Sequence, residues 1–331
     1  MPTVVLRYHE TVRSVETDPY ETVYQAAARS GAPVLTDCLE GACATCKARC
    51  VEGEYDLIDP SFDALSSEEE QAGFVLLCQM EPRGPCVVEM PYTLAFAQNS
   101  HPGMLSCEVG EIASGGTSIV RLRVESPTPL DFVPGQYAQV LVPGTDVRRA
   151  YSFANSPGAH TAEFYVRLLE DGAMGAYLRR RARVGDELQL ELPFGGFYLR
   201  AGTGPLVAIT GGTGLAPILS MLAELAARGS RRIVHVIHGA RAPEALFGLE
   251  ALEAFNASGL SVQLHLAVER DAAPGMFTGQ VTDIVTSDLI GSPGADVYLC
   301  GPPSMVASAE AKLATHGVPA ARVFVERFNP A

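Results

Sequence analysis

Hydrophobic and polar positions alternate along residues 3–8 (TVVLRY) and 11–16, which predicts a pair of strands. From Asp18-Pro19-Tyr20-Glu21 the spacing changes to a helical one through Val23, Ala27 and Ala28, and it stops at Gly31. Strand-like pieces return at 47–51 and 53–57, on either side of Gly53. The run SSEEEQAGFVLLC at 66–78 reads as a capped helical turn followed by an apolar strand that delivers Cys78. Val87 and Val88 sit in a last strand ending near Pro91.

Residues 93–104 (TLAFAQNSHPGM) gather Asn, Ser, Pro and Gly and read as a linker. Beyond it, short alternating runs recur: LSCEVGEI, SIVRLRVE, YAQVLVP, RAYSFAN, AEFYVRLL and ELQLELP, separated by Gly-Gly and Pro-Gly turns. Six such strands predict a small antiparallel barrel. After Gly202 the order changes to strand, glycine turn and helix, with strands expected at 204–210, 232–238, 262–268 and 296–300. Alternating strand and helix predicts a doubly wound α/β sheet, which binds nucleotides beyond the carboxyl ends of its strands. Residues 201–223 carry no charge, but five glycines and two prolines interrupt them, so a buried strand, loop and helix are expected rather than a membrane span. The expected domains are residues 1–97, 104–200 and 201–331.

Composition narrows the function classes. With 47% hydrophobic and 19% charged residues, the chain is of globular type. The net charge of −14 is concentrated at the front: residues 1–97 hold 6 Lys+Arg against 16 Asp+Glu, a net −10, and the rest holds 18 against 22, a net −4. That distribution disfavours nucleic acid and anionic membranes as partners and suits docking on a basic protein surface. The opening MPTVVLRYHE lacks the apolar core of a secretory signal, so a cytoplasmic protein is expected.

Cys38, Cys43 and Cys46 stand in C-x4-C-x2-C spacing, and Cys78 follows inside FVLLCQM. This is plant-type [2Fe-2S] spacing, in which three thiolates come from one tight loop and the fourth from elsewhere. Gly41, Ala42, Ala44 and Thr45 between the ligands are small enough for backbone N–H groups to approach the sulfurs. A zinc site would ordinarily pair two CxxC units or add histidines, and here only Cys43 and Cys46 form one. A disulfide framework fits poorly in a chain without a secretory segment. Cys50, Cys86 and Cys107 are expected to be small core residues. The strand order around the cysteines is that of a β-grasp ferredoxin.

In the middle third, Arg149 and Tyr151 of Arg149-Ala150-Tyr151-Ser152 should share a strand face, an arrangement suited to a pyrophosphate and an aromatic ring. Gly172, Ala173, Met174 and Gly175 open a helix whose free N–H groups could receive phosphate oxygens. In the last third, Gly211-Gly212-Thr213-Gly214 follows a buried strand and suits close approach of a dinucleotide. Cys300-Gly301-Pro302-Pro303 ends another strand at the same edge.

The cluster loop, R-x-Y-S, G-G-T-G-x-A-P and C-G-P-P occur in one order, which resembles the ferredoxin–NAD(P)H reductase superfamily with a fused N-terminal ferredoxin. Within it the chain looks most like the reductase components of aromatic-ring-hydroxylating dioxygenases, the benzoate 1,2-dioxygenase reductase type. EGACATC, FVLLCQ, GGFYLR, VYLCGP and the closing FVERF carry this likeness over essentially the whole chain. The resemblance implies electron transfer from NADH through FAD and [2Fe-2S] to a terminal oxygenase. It implies that Arg149, Tyr151 and Ser152 bind the flavin, that Gly172–Gly175 line its pyrophosphate, and that Cys300 lies near the nicotinamide. Ser152, Cys300 and Glu326 would stand nearest the reacting atoms, with Phe328 in the C-terminal segment that approaches the flavin. Relatives usually carry Ser or Thr where Gly175 stands, so here only backbone donors are expected at that point. NADH is expected over NADPH, since GARAPE at 239–244 lacks a basic cluster for a 2′-phosphate, although Arg241 leaves NADPH open. Two other readings stay open: the same electron chain serving a diiron or other monooxygenase, and an electron carrier whose nucleotide domain has lost its activity.

Overall fold

Strand β1 (Thr3–Tyr8) shows what organises the first part of the chain: Val4, Leu6 and Tyr8 are at most 1% exposed, while Thr3 and Arg7 face solvent. A computed structural model describes residues 1–290 and 294–328. It divides into one unit of Met1–Pro102 with Phe194–Gly196, and another of Gly103–Pro193 with the described residues from Phe197 onward.

In the first unit, β2 (Thr11–Glu16), α1 (Val23–Ser30), β3 (Lys47–Glu52), β4 (Tyr55–Leu57), α2 (Ser67–Gln71), β5 (Phe74–Leu76), β6 (Met80–Pro82), β7 (Cys86–Met90) and α3 (Leu94–Asn99) follow β1. The mixed sheet has the order β2-β1-β7-β3-β5, with β1 and β7 parallel, and α1 buries Val23, Ala26 and Ala27. This is an α+β β-grasp unit. Two expectations change. Helix α1 starts after Thr22 rather than at Asp18, because Tyr20 has φ of 63° and Thr22 with Gln25 forms the capping box. The stretch read as a linker contains α3, capped by the Thr93 hydroxyl, which accepts from Phe96 N–H at 3.2 Å.

The second unit begins with β8 (Gly103–Gly116), β9 (Ile119–Glu125), β10 (Tyr137–Leu141), β11 (Arg148–Ser152), β12 (Thr161–Arg167), α4 (Ala173–Arg180) and β13 (Glu187–Phe194). The six strands form a sheet of order β11-β10-β13-β8-β9-β12, with β11 antiparallel to β10, β13 to β8, β8 to β9 and β9 to β12. Ala154 N–H donates to Glu163 O at 2.9 Å and links the two end strands, so the sheet closes as a barrel around Leu122, Val140, Phe153, Phe164 and Leu190.

The remainder runs β14 (Leu206–Gly211), α5 (Leu215–Ala227), β15 (Val234–Ala240), α6 (Leu249–Ala257), β16 (Val262–Val268), β17 (Phe277–Thr278), α7 (Val281–Ile284), α8 (Ser287–Ile290), β18 (Asp296–Gly301), α9 (Pro303–Thr315) and β19 (Val323–Arg327). The parallel sheet has the order β17-β16-β15-β14-β18-β19. Strands 14 to 16 build outward in one direction and β18 returns on the other side of β14, so the topological switch lies between β14 and β18. The face of this sheet carrying Ala208, Tyr298 and Cys300 shares one core with α5 and with Ile119, Ala154, Tyr165 and Phe197 of the barrel. Among the described residues, no helix is long and apolar enough to cross a membrane.

Candidate functional site

In the first unit, two buried tyrosines fix the approach to the cysteine loop. Tyr8 Oη donates to Pro33 O at 2.8 Å, and Leu35 N–H donates to Tyr92 Oη at 3.1 Å. Beyond them the backbone takes left-handed conformations at Leu39, Gly41 and Ala44, with φ of 61°, 73° and 57°. Non-glycine residues pay a strain there that a loop accepts when it must wrap around something.

The four cysteines form two pairs. Cys43 N–H points at Cys38 Sγ at 3.3 Å and Cys38 N–H at Cys43 Sγ at 3.5 Å; Cys46 Sγ and Cys78 Sγ lie 3.4 Å apart. Glu40 and Ala42 also turn their N–H groups to Cys38 Sγ, each at 3.4 Å. The Cys43 thiol, then those N–H groups, hold Cys38 down at about 5, and the Cys46 thiol, before all else, lowers Cys78 to about 7. Their partners Cys43 and Cys46 are raised, chiefly by sharing a proton with the neighbour and then by burial. Among the described residues, no three His, Cys, Asp or Glu side chains converge as a single ion would require. Two thiol pairs with N–H groups aimed at sulfur suit a two-iron cluster, two thiolates per iron. Cys38 and Cys43 are partly exposed and Cys46 and Cys78 buried, so the first pair is the outer one.

In the second unit, β11 places Arg149 and Tyr151 half-buried and Ser152 buried. The Arg149 guanidinium donates to Arg148 O at 2.9 Å, and Tyr151 packs against Phe164 with ring centroids 6.3 Å apart. Burial raises the Tyr151 hydroxyl. Gly172 caps α4 with no side-chain acceptor, so the first N–H groups of Ala173, Met174 and Gly175 lack the partner that a Ser or Asp cap would supply. That opening fits a pyrophosphate. A Cβ on Gly175 would come within 3.0 Å of Leu169 O, a local packing reason for glycine at this point.

At the switch point the glycines have different tasks. Gly212 has φ of 52° and nothing within 4 Å of where a Cβ would be, so it faces open space suited to a dinucleotide. Gly211, Gly214 and Gly301 instead allow the two turns to touch: a Cβ on Gly211 would sit 2.6 Å from Met305 Sδ, and one on Gly301 would sit 3.0 Å from Gly211 N. Thr213 is half-buried between them, and Pro302 leads into α9. Cys300 pairs in register with Thr210 on one side and Glu326 on the other. Cys300 is fully buried, and burial followed by the Glu326 charge raises its thiol well above the usual value. Phe328 N–H donates to Gly301 O at 2.8 Å, which carries the C-terminal segment along the same edge.

Glu326 Oε2 is buried without a hydrogen-bond partner, and burial pushes its carboxyl from 4.5 to about 8. Between those two values the folded protein keeps a proton that the unfolded chain has lost. Stability therefore falls as pH rises through that window, and it levels off above it. Glu326→Gln removes the slope: in thermal unfolding from pH 5 to 9, the variant's advantage over the parent should grow to the order of a few kcal/mol by pH 8. A constant difference across that range would rule the assignment out.

Several positioning residues carry no motif. Gln79, beside Cys78, donates to Leu39 O at 3.4 Å and accepts from Asp59 N–H at 3.1 Å, tying two loops to the cysteine loop. Thr210 Oγ1 lies 2.9 Å from Nδ1 of the buried His238, beneath Cys300's neighbour strand. The Arg200 guanidinium lies 3.4 Å from the Tyr198 ring centroid and 4.9 Å from that of Phe324, so the chain leaving the barrel is clamped to β19. The only hint of the clamp in the sequence was the aromatic content of GGFYLR and FVERF.

The chain matches three domain families: the 2Fe-2S iron-sulfur cluster binding domain over residues 8–83, the oxidoreductase FAD-binding domain over 106–198 and the oxidoreductase NAD-binding domain over 208–311. It is 36% identical to the 2-halobenzoate 1,2-dioxygenase electron transfer component of Burkholderia cepacia, over 99% of this chain and 98% of that protein. It is 34% identical to the toluate 1,2-dioxygenase electron transfer component of Pseudomonas putida, over 96% and 95% of the two chains. The reductase component of propane 2-monooxygenase from Mycolicibacterium goodii is 33% identical over 93% and 92%. Among solved structures, the Amycolatopsis reductase GcoB superposes with a TM-score of 0.75 at 29% identity, over 100% and 99% of the two chains. The ferredoxin reductase in carbazole 1,9a-dioxygenase has the same fold, with a TM-score of 0.69 at 22% identity over 99% and 98%. With its 2Fe-2S, FAD-binding and NAD-binding domains in that order, the chain belongs to the family of aromatic-ring dioxygenase electron transfer components.

Proposed function

We propose that this oxidoreductase is the electron-transfer component of a terminal oxygenase acting on an aromatic ring, using domains bounded at 1–97, 104–200 and 201–331. When bound, NADH supplies a hydride to FAD, and the [2Fe-2S] centre passes the two electrons on one at a time. Cys38, Cys43, Cys46 and Cys78 hold the cluster, and the N–H groups of Glu40, Ala42 and Cys43 offset its charge at Cys38. Arg149, Tyr151, Ser152 and the N–H groups of Gly172–Gly175 hold the flavin. Gly211–Gly214 with Cys300, Gly301 and Pro302 shape the nicotinamide site. Ser152, Cys300 and Glu326 flank the reacting atoms, and Phe328 borders them. Glu326, protonated at neutral pH, would leave the reacting edge without a negative charge. The acidic first third and eight cysteines without a disulfide among them suit a reducing cytoplasm and a protein partner rather than nucleic acid or membrane.

The observation that carries this reading is the two thiol pairs with converging N–H groups, present in one chain with an open glycine turn beside Cys300 and Glu326. The propane 2-monooxygenase relatives support a second reading, in which the same electron path serves a monooxygenase. An anaerobic absorption spectrum before and after NADH, with iron, sulfide and flavin measured on the same sample, tests both. The expected result is about two irons and one FAD per chain, with flavin and cluster bands both bleached. Zinc in place of iron, or a spectrum unmoved by NADH, would end the electron-transfer reading. Turnover with purified aromatic dioxygenases and with monooxygenases then separates the two partners.

A further inference from the structure

Side chains in register across a parallel sheet share one face. On the face that packs against α5, Val236, Ala208 and Tyr298 form one level, all fully buried. Two residues further along the same strands, His238, Thr210 and Cys300 form the next level, again fully buried. That level is the last before the open glycine turn, since Gly211 and Gly212 follow Thr210 directly. A histidine and a threonine therefore occupy core positions where the sheet meets the coenzyme site. Polar groups buried this deeply are costly unless they bond to one another.

Thr210 Oγ1 lies 2.9 Å from His238 Nδ1 and 3.3 Å from Ile237 O, and the hydroxyl has a single proton for the two. If that proton goes to Nδ1, the imidazole is left with a buried N–H at Nε2, which has no partner among the described residues. If it goes to Ile237 O, Nδ1–H donates to Thr210 Oγ1, so two bonds form instead of one and only a lone pair is left at Nε2. The second arrangement strands no donor and is the better satisfied. Burial lowers the ring's pKa to about 4, so the imidazole is neutral and one nitrogen alone carries a proton.

The ring also reaches the barrel. His238 stands perpendicular to Phe247 with ring centroids 5.7 Å apart, and Phe247 packs on Tyr165 of β12 at 4.5 Å. The segment that carries Phe247 is itself tied to the barrel, where Thr117 N–H donates to Glu244 O at 3.1 Å. Thr210, His238, Phe247 and Tyr165 are all buried, so the path between the two seats is packed throughout.

We propose that His238 is a positioning residue for hydride transfer: its Nδ1–H fixes Thr210 at the root of the glycine turn, and its ring braces that strand end on the barrel through Phe247 and Tyr165. This rests on the NADH-to-FAD reading above and adds the contact that holds the nicotinamide edge in place against the flavin domain. The step served moves one hydride and leaves NAD+ and the two-electron-reduced flavin. A displacement of about 1 Å at the reacting atoms is enough to slow such a step on the order of a hundredfold. Contacts along the rest of the dinucleotide are untouched, so the effect belongs in the rate of reduction and not in the affinity for NADH.

In the full-length holoprotein, anaerobic stopped-flow reduction by NADH reads the limiting rate and the Kd separately. Thr210→Val, which keeps the shape and removes the hydroxyl, and His238→Leu should each lower the limiting rate about tenfold or more, with Kd within about twofold of the parent. The long-wavelength charge-transfer band of NAD+ on reduced flavin should weaken in both. His238→Asn, whose amide N–H can stand where Nδ1–H stood, should recover most of the rate. His238→Gln, which places its amide at the Nε2 position, should not. Proton–nitrogen correlation spectra of the histidine-labelled parent should show His238 protonated at Nδ1 and bare at Nε2. Parent-level limiting rates in Thr210→Val and His238→Leu would overturn the proposal, as would a proton at Nε2 or equal recovery by His238→Gln. A rise in Kd that matches the fall in rate would overturn it too, because the pair would then be a structural support of the whole nucleotide site. A parent flavin that NADH does not reduce would instead remove the underlying reading.

Discussion

Gly214→Ala is expected to cut NADH oxidation by on the order of a hundredfold and to destabilise the protein by about 3 kcal/mol. A methyl group there would meet the carbonyl of Cys300, with the carbonyl carbon 2.6 Å away and Gly301 N at 3.0 Å. Both obstacles are backbone at the end of a fully buried strand, and no rotamer change relieves them. Either the first turn of α5 lifts from β18 or β18 shifts, and each moves Cys300 relative to the open glycine turn. A displacement of about 1 Å at a reacting centre is enough for the rate loss. Gly212→Ala is the control. It meets nothing within 4 Å and has only its φ of 52° to overcome, so its cost should be about 1–2 kcal/mol with no packing term. Thermal unfolding and stopped-flow reduction by NADH read both quantities. A Gly214→Ala protein as stable as Gly212→Ala would show that the two turns do not need their present contact.

This pair also shows how far the sequence could be read. The spacing of Cys38, Cys43, Cys46 and Cys78 was legible because a binuclear centre imposes it through covalent geometry. The barrel strands were legible where they bury alternate residues, as Leu188, Leu190 and Leu192 do on β13. The motif G-G-T-G was legible as a nucleotide turn, but its glycines read alike in one dimension. Only the fold separates Gly212, which faces open space, from Gly214, which is needed because β18 arrives from far along the chain. The start of α1 was misplaced because Asp18-Pro19 is a good opening signal locally, while the left-handed backbone at Tyr20 overrides it. Helix α3 was hidden by Asn99 at its end and by the Ser, Pro and Gly that follow it.

The amino end of the same nucleotide sheet holds a feature that no motif announced, and its removal should be the most costly single change to stability. Asp296→Ala is expected to destabilise the protein by about 3–5 kcal/mol. The Asp296 side chain is 3% exposed and accepts from Arg232 Nη2 at 2.8 Å and from Arg322 Nη1 at 2.7 Å. The Arg232 side chain is 4% exposed and also donates from Nε to Gly204 O at 2.7 Å, while its Nη1 has no partner. Losing the carboxylate leaves that buried guanidinium without its counter-charge, which costs far more than the ion pair contributes. The same carboxylate explains Gly202, since a Cβ there would come within 2.8 Å of Asp296 Oδ2. If the penalty comes from the stranded cation, Asp296→Ala combined with Arg232→Met should recover most of it in denaturant unfolding. A double variant as unstable as the single one would place the loss in the packing of residues 201–205 against β18 and not in the charge.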